Sequence, residues 1–160
     1  MKAVIIYHSY SGITRGVSEK VHEAVGGDIV EVKPVKNYSK LSAYTTGCMR
    51  ARKGECDLIE SETIDVSDAD VIVIGTPVWA FRATPAVNAA VEALFGCSEK
   101  PAVIFATCGG KEGETLTKLS EALSKKGVIV KKQIVFNKDD VEDESKINEL
   151  ITAIKSAGGI

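Results

Sequence analysis

The 160-residue chain reads as an α/β domain of the doubly wound kind, with helices on both faces of a five-stranded parallel sheet. Three observations predict this. The runs AVIIY (3–7), VIVIG (71–75) and AVIFA (102–106) are apolar throughout, as strands must be when both faces of a sheet are covered. Weaker runs, DIVEV (28–32) and VIVKKQIVF (128–136), complete the set. Between the runs lie apolar stripes at helical spacing, so that strand and helix alternate.

Taken in order, the first strand ends at Tyr7 and gives way to the small, hydroxyl-rich HSYSG. Ile13, Val17, Val21, Ala24 and Val25 then share one helix face, and Gly26-Gly27 stop it. DIVEV is the second strand. Residues 34–67 are too long for a plain connection, and connections of that length are often functional. A helix is expected there over Leu41–Arg52. VIVIG, the third strand, is expected to stop at Gly75 and Pro77, leaving Trp79 and Phe81 on a loop. The stripe Val87, Val91, Leu94 follows and Gly96 closes it. After AVIFA come Leu116, Leu119 and Leu123, with Gly127 as the stop. The edge strand and a last helix on Ile147, Leu150, Ile151 and Ile154 finish the chain. No repeat, low-complexity tract or linker interrupts it, so residues 1–160 are read as one domain with an extended connection at 34–67.

Composition narrows the function classes. With 44% apolar and 26% charged residues and a net charge of −2, the chain has the make-up of an ordinary globular domain. Residues 1–56 carry nine Lys/Arg against five Asp/Glu, and the acidic excess lies beyond them, notably in DDVEDE (139–144), which suits a helix N-terminus. No basic stripe interleaved with aromatics points to nucleic acid, and no apolar run approaches the ~20 residues of a membrane span. Cys48, Cys56, Cys97 and Cys108 lack metal-ligand spacing. A cytoplasmic protein with reduced thiols is expected.

The candidate site follows from the fold. Open α/β sheets bind ligands beyond the carboxyl ends of their strands. There the first loop offers Ser9, Ser11 and Thr14 around Gly12, ahead of a helix whose N-terminus attracts an anion. It lacks the GK[ST] ending of a nucleotide P-loop and the G-x-G-x-x-G of a dinucleotide fingerprint, so it suits one phosphate group held by neutral donors. The third strand leads into Thr76, Pro77, Val78, Trp79, Ala80 and Phe81. Burying a tryptophan's ~150–250 Å² is worth several kcal/mol, so Trp79 needs a flat apolar cover. The fourth strand leads into Thr107, Cys108, Gly109, Gly110 and, further on, Gly113, which permit close backbone approach.

The run IIYHSYSGITRGVSEKV resembles the FMN-phosphate signature of the flavodoxin family. Ile5, Ile6, Tyr7, Ser9, Gly12, Thr14 and Val21 fit that pattern, while Ser18 stands where the family usually has alanine. The resemblance implies a flavodoxin-like sheet with strand order 2-1-3-4-5, FMN as cofactor, and Ser9, Tyr10, Ser11, Gly12, Ile13 and Thr14 around its phosphate. It also implies flavin contact from the loops at 76–81 and 107–113. With no cation expected near the ring, extra negative charge on the flavin would be disfavoured. The implied role is electron transfer between protein partners, a reductase and an acceptor. The extended connection, with Tyr44, Cys48, Arg50 and Arg52 as candidate lining, keeps open an FMN-dependent NAD(P)H or quinone oxidoreductase. A receiver-like signalling domain is a remote alternative, since it needs carboxylates where the first strand ends in Tyr7-His8-Ser9.

Overall fold

Successive side chains on a strand point to opposite faces, and that alternation sorts the core into two layers. Val4, Ile6, Ile72, Ile74, Ala102, Ile104 and Ala106 face one side, where they meet Val87, Val91, Leu116, Leu119 and Leu123. Ile5, Tyr7, Val71, Val73, Val103 and Phe105 face the other, against Val17, Val21, Ile147, Leu150 and Ile154. The helix stripes expected from the sequence thus cover both faces of one sheet.

A computed structural model describes residues 1–160. In chain order the elements are β1 (Ala3–Tyr7), α1 (Ile13–Val25), β2 (Asp28–Glu31), α2 (Lys40–Ser42), a wide π-helical turn (Ala43–Gly47), α3 (Cys48–Arg52), β3 (Ile64–Asp65), β4 (Val71–Trp79), β5 (Arg82–Ala83), α4 (Pro85–Ala93), β6 (Leu94–Phe95), β7 (Pro101–Cys108), α5 (Thr115–Lys125), β8 (Ile129–Asn137) and α6 (Glu144–Ala157). The long strands form a parallel sheet in the order β2-β1-β4-β7-β8. Because β4, β7 and β8 are the third, fourth and fifth long strands, this is the expected order 2-1-3-4-5. No helix is long and apolar enough to cross a membrane.

Three local expectations change. β4 does not stop at Gly75; it continues to Trp79 and folds back as a hairpin, with Val78 opposite Ala83 and Trp79 opposite Arg82. Beyond Gly75, β1 no longer flanks it and β7 is its parallel neighbour, so Pro77 sits on a strand with one open side, where a missing N–H is tolerated. Leu94 leaves its helix: it caps α4 in extended conformation and pairs with Ile64 in a small second sheet. Ile13, expected in a core stripe, is 47% exposed at the mouth of the site. The outer strand β8 carries exposed Lys131, Lys132 and Gln133 and a register shift against Ala102/Val103, both of which blunt an edge.

The extended connection is a closed excursion. Its neck is a bridge between Pro34 and Ile59, where Val35 N donates to Leu58 O at 2.8 Å. The expected helix runs unbroken from Lys40 to Arg52, with Ser39 accepting from Ser42 N at its start and the wide turn in the middle.

In the turn from α1 into β2, Gly27 lies against the backbone of Ala3 at the start of β1. Gly27 has φ +89, and a Cβ there would overlap the backbone of Ala3. Gly27→Ala combines left-handed strain with that clash and is expected to lower stability by about 2 kcal/mol or more, read by urea denaturation.

Candidate functional site

Burying both sheet faces leaves the strand ends as the place where polar groups collect. At the end of β1, Ser9 organises the loop: its Oγ accepts from Gly12 N at 3.1 Å and from Arg15 N at 3.2 Å. Gly12 takes φ +94, which turns the chain into α1. Ser9 and Gly12 therefore shape the loop and do not line its cavity. The amides of Ser11, Ile13 and Thr14 donate to no group in the chain. No acidic side chain occupies the first turn of α1. The result is a cluster of open donors at the positive end of a 13-residue helix, the arrangement that takes an anion.

Thr14 is 1% exposed and shares a 2.8 Å hydrogen bond with the Thr107 hydroxyl, which ties the first loop to the end of β7. Beyond Thr107, the Gly109 and Gly110 amides also donate to nothing. The single S–H of Cys108 has two acceptors in reach, Asn137 Oδ1 at 3.2 Å and Gly110 O at 3.4 Å. Burial, with Glu112 second, pushes its thiol above the ordinary cysteine range, so it stands as a neutral donor.

The hairpin at the end of β4 turns on Ala80 and Phe81, whose φ values are 50 and 65. Two consecutive left-handed residues make the hairpin turn that matches strand twist, here without glycine. Its tip is fastened to the third loop: Phe81 packs where a side chain on Gly113 would sit, and Arg82 pairs with Glu114 at 2.7 Å. Phe81 and Gly113 thus hold two loops together and do not line the cavity. Thr76 is fully buried and supports the turn, donating to Pro77 O at 2.8 Å and accepting from Thr84 N at 3.3 Å.

Trp79 already has a cover within the chain. Its ring meets Tyr38, Tyr10 and His8 edge to face at 5.3, 5.6 and 6.0 Å between centroids. Ala43 and Ala51 pack against it, and a Cβ on Gly47 would come within 2.7 Å of Trp79 Cζ3. The excursion is thus wrapped around this indole, which also lines the cavity. Arg50 holds the excursion in place. It pairs with Asp57, donates to the Tyr38 hydroxyl at 2.9 Å and reaches Glu55 at 3.0 Å. Burial, then the hydrogen bond to Asp57, push the Tyr38 phenol up to about 12. Arg50 and Arg52 do not line the cavity: the first is committed to this cluster, the second is exposed.

These loops enclose a cavity of about 660 Å³. Of the expected residues, Tyr10, Ser11, Ile13, Thr14, Pro77, Val78, Trp79, Ala80, Thr107, Cys108 and Gly109 line it; Gly110 lies just outside. Tyr44 and Cys48 line it from the excursion. Lys40, Ala43, Phe136, Lys138 and Val141 also line it, and sequence reasoning missed them. Lys40, Tyr44 and Cys48 recur every four residues, so one helix face presents all three, a periodicity legible once the 40–52 helix is granted. The lining includes two lysines, Lys40 and Lys138, and no aspartate or glutamate.

A family model described as flavodoxin matches residues 2–150. The chain belongs to the flavodoxin family. No curated protein matches it. Among solved structures, two from Bacteroides uniformis and Bacteroides eggerthii, described as candidate flavoproteins, share 22% and 25% identity with TM-scores of 0.80 and 0.76. They are covered over 97% of their length by 94% and 96% of this chain. A flavoprotein from Lactobacillus acidophilus, crystallised in complex with FMN, shares 19% identity with a TM-score of 0.69, over 93% of this chain and 97% of that one.

Beneath this flavodoxin-family site lies a buried histidine that the sequence reading did not single out. His8 is 5% exposed, and its Nδ1 shares a 2.9 Å hydrogen bond with Thr84 Oγ1, the side chain that caps α4 by accepting from Val87 N. Burial pushes His8 down to about 4, against some opposition from Asp57. The unfolded chain takes up this proton near pH 6.5, the folded chain only near 4. The stability that neutral His8 contributes is therefore complete above about pH 6.5 and is lost as the pH falls toward 4, by up to roughly 3 kcal/mol. Urea denaturation at pH 7 and pH 5 is expected to show a larger loss in the wild type than in His8→Asn.

Proposed function

We propose that this chain is an FMN-binding redox protein that passes electrons between protein partners, a reductase and an electron acceptor. One observation carries the reading: the open amides of Ser11, Ile13 and Thr14, with the Ser11 hydroxyl, stand at the mouth of a largely apolar cavity. They fit a phosphate, and Pro77, Val78, Trp79 and Gly109 fit a flat apolar ring beside it. Support also comes from family membership and from the Lactobacillus acidophilus flavoprotein, which was crystallised with FMN.

A flavin supplies one- and two-electron chemistry when bound. The chain's own work is to hold and orient. The α1 N-terminus takes the phosphate; the Thr14–Thr107 bond keeps the first and third loops at fixed spacing; the hairpin at Ala80–Phe81 and the excursion limit water at the ring. The Gly109 and Gly110 amides are free to donate to a ring heteroatom. No step in this role requires a general base, and the neutral Cys108 thiol is a packing and donor group.

A second reading is an FMN-dependent NAD(P)H or quinone oxidoreductase. The wall formed by Lys40, Tyr44 and Cys48 favours it, because an added wall beside a ring site is a means of selecting a small substrate. Steady NADPH oxidation with added quinone and no partner protein would select it over the carrier. The four free cysteines suit a reducing compartment, and we assign the protein to the cytoplasm.

The reading is tested by titrating the protein with FMN and following flavin fluorescence. Ser11 makes no hydrogen bond within the chain, so Ser11→Ala removes a donor without disturbing the loop. A hydrogen bond to a charged group is worth about 1.5–3 kcal/mol, so FMN affinity should fall roughly tenfold or more while riboflavin affinity holds. A protein that takes up neither flavin ends the proposal.

A further inference from the structure

Lys40 and Lys138 approach the cavity from parts of the chain outside the sheet. Lys40 opens the excursion helix, and Lys138 directly follows β8; both line the cavity. Neither takes part in any of the chain's ion pairs. The neighbouring carboxylates are mostly engaged elsewhere. Asp140 is held by Lys146 at 3.2 Å, Glu142 by Lys20 at 3.2 Å and Glu114 by Arg82 at 2.7 Å, while Asp143 caps α6 by accepting from Ser145 N. Asp139 and Glu112 are unpaired, but neither lines the cavity. The lining itself holds two positive charges and no negative one.

Resting on the FMN reading, we infer that Lys40 and Lys138 are positioning charges that make the site bind reduced FMN more tightly than a cation-free site would, and so raise the potential of the bound cofactor. The physical basis is differential binding. Reduction adds negative charge to the flavin ring, whereas the phosphate carries the same charge in both states. A cation that faces the ring therefore favours the reduced form, and a cation that faces the phosphate favours both forms equally. The phosphate already has its own donors in the open amides at 11, 13 and 14, which leaves the lysines for the remainder of the cavity. Both lysines are exposed, so their fields pass through solvent-like dielectric and are screened by salt. The effect is a moderate bias, and its salt dependence is its signature.

The test compares the wild type with Lys40→Gln/Lys138→Gln and with a control, Lys125→Gln/Lys155→Gln. The control removes the same net charge from the last turns of α5 and α6. Both pairs are surface positions that leave the fold unchanged. FMN dissociation constants are measured in the oxidised state and, after dithionite, in the reduced state; the midpoint potential is read against a reference dye. In the cavity variant the ratio of oxidised to reduced dissociation constants is expected to fall roughly three- to tenfold at low salt, and tenfold is about 30 mV for a two-electron couple. That difference should shrink at about 1 M salt, where the Debye length is about 3 Å, and the control should match the wild type. Two outcomes overturn the inference: an unchanged ratio, which includes the equal weakening of both states expected for phosphate contact, or the same shift in the control. Failure of the underlying reading looks different, since the wild type would then bind FMN in neither state.

Discussion

Three backbone amides at the start of α1 have no acceptor in the chain, and the geometry of the site is organised around them. A helix leaves its first N–H groups unpaired, and most helices satisfy them with a side-chain cap. Here Gly12 stands at the cap position and offers none, while Ser9 satisfies only its own loop and Arg15 N. The neighbouring loops are then fixed relative to that point. Thr14 reaches across to Thr107, Phe81 rests on Gly113 and Arg82 pairs with Glu114. Each link is polar or steric, and together they tie three strand ends to one another.

The sheet and its helices were legible because two-sided burial leaves a strong imprint. A strand covered on both faces must be apolar at every position, and AVIIY, VIVIG and AVIFA have no other ready explanation. The first loop was legible as a candidate anion site for the opposite reason: hydroxyls and a glycine in a row are conspicuous after such a strand. What escaped was set by long-range geometry. Proline normally ends a strand, but Pro77 lies beyond the reach of β1, so β4 could run on to Trp79. Leu94 fits a helix stripe at i+3 from Val91, yet pairing with Ile64 outweighs one more helical residue. Nothing adjacent in sequence to either residue reports these partners.

Trp79 shows how an excursion can become part of a site. The sequence shows only that the indole must be covered. The cover turns out to be shared: Tyr38, Ala43, Gly47 and Ala51 pack against the ring, and Trp79 also lines the cavity. A glycine inside a helical run is ordinarily costly, but at position 47 it makes room for the indole within the wide turn. Wide turns of this kind tend to occur at functional positions, and this one sets Lys40, Tyr44 and Cys48 on the cavity side. The Arg50–Asp57–Tyr38 cluster fixes the far side of the same segment, so the wall is braced at both faces.

This division of structure has an electrostatic consequence. The open amides at the start of α1 are neutral donors aided by the helix dipole, and an anion held there would keep the same charge in every oxidation state of a bound cofactor. The charged side chains that line the cavity come from the excursion and from the turn after β8. Changes in those segments alter the field at the ring without touching the sheet register or the Thr14–Thr107 link. One scaffold can therefore keep its grip on a cofactor while the sign of the charge around the ring changes. In this chain those segments bring Lys40 and Lys138 to the cavity and no carboxylate, while Glu142, Glu114 and Asp140 are paired with Lys20, Arg82 and Lys146.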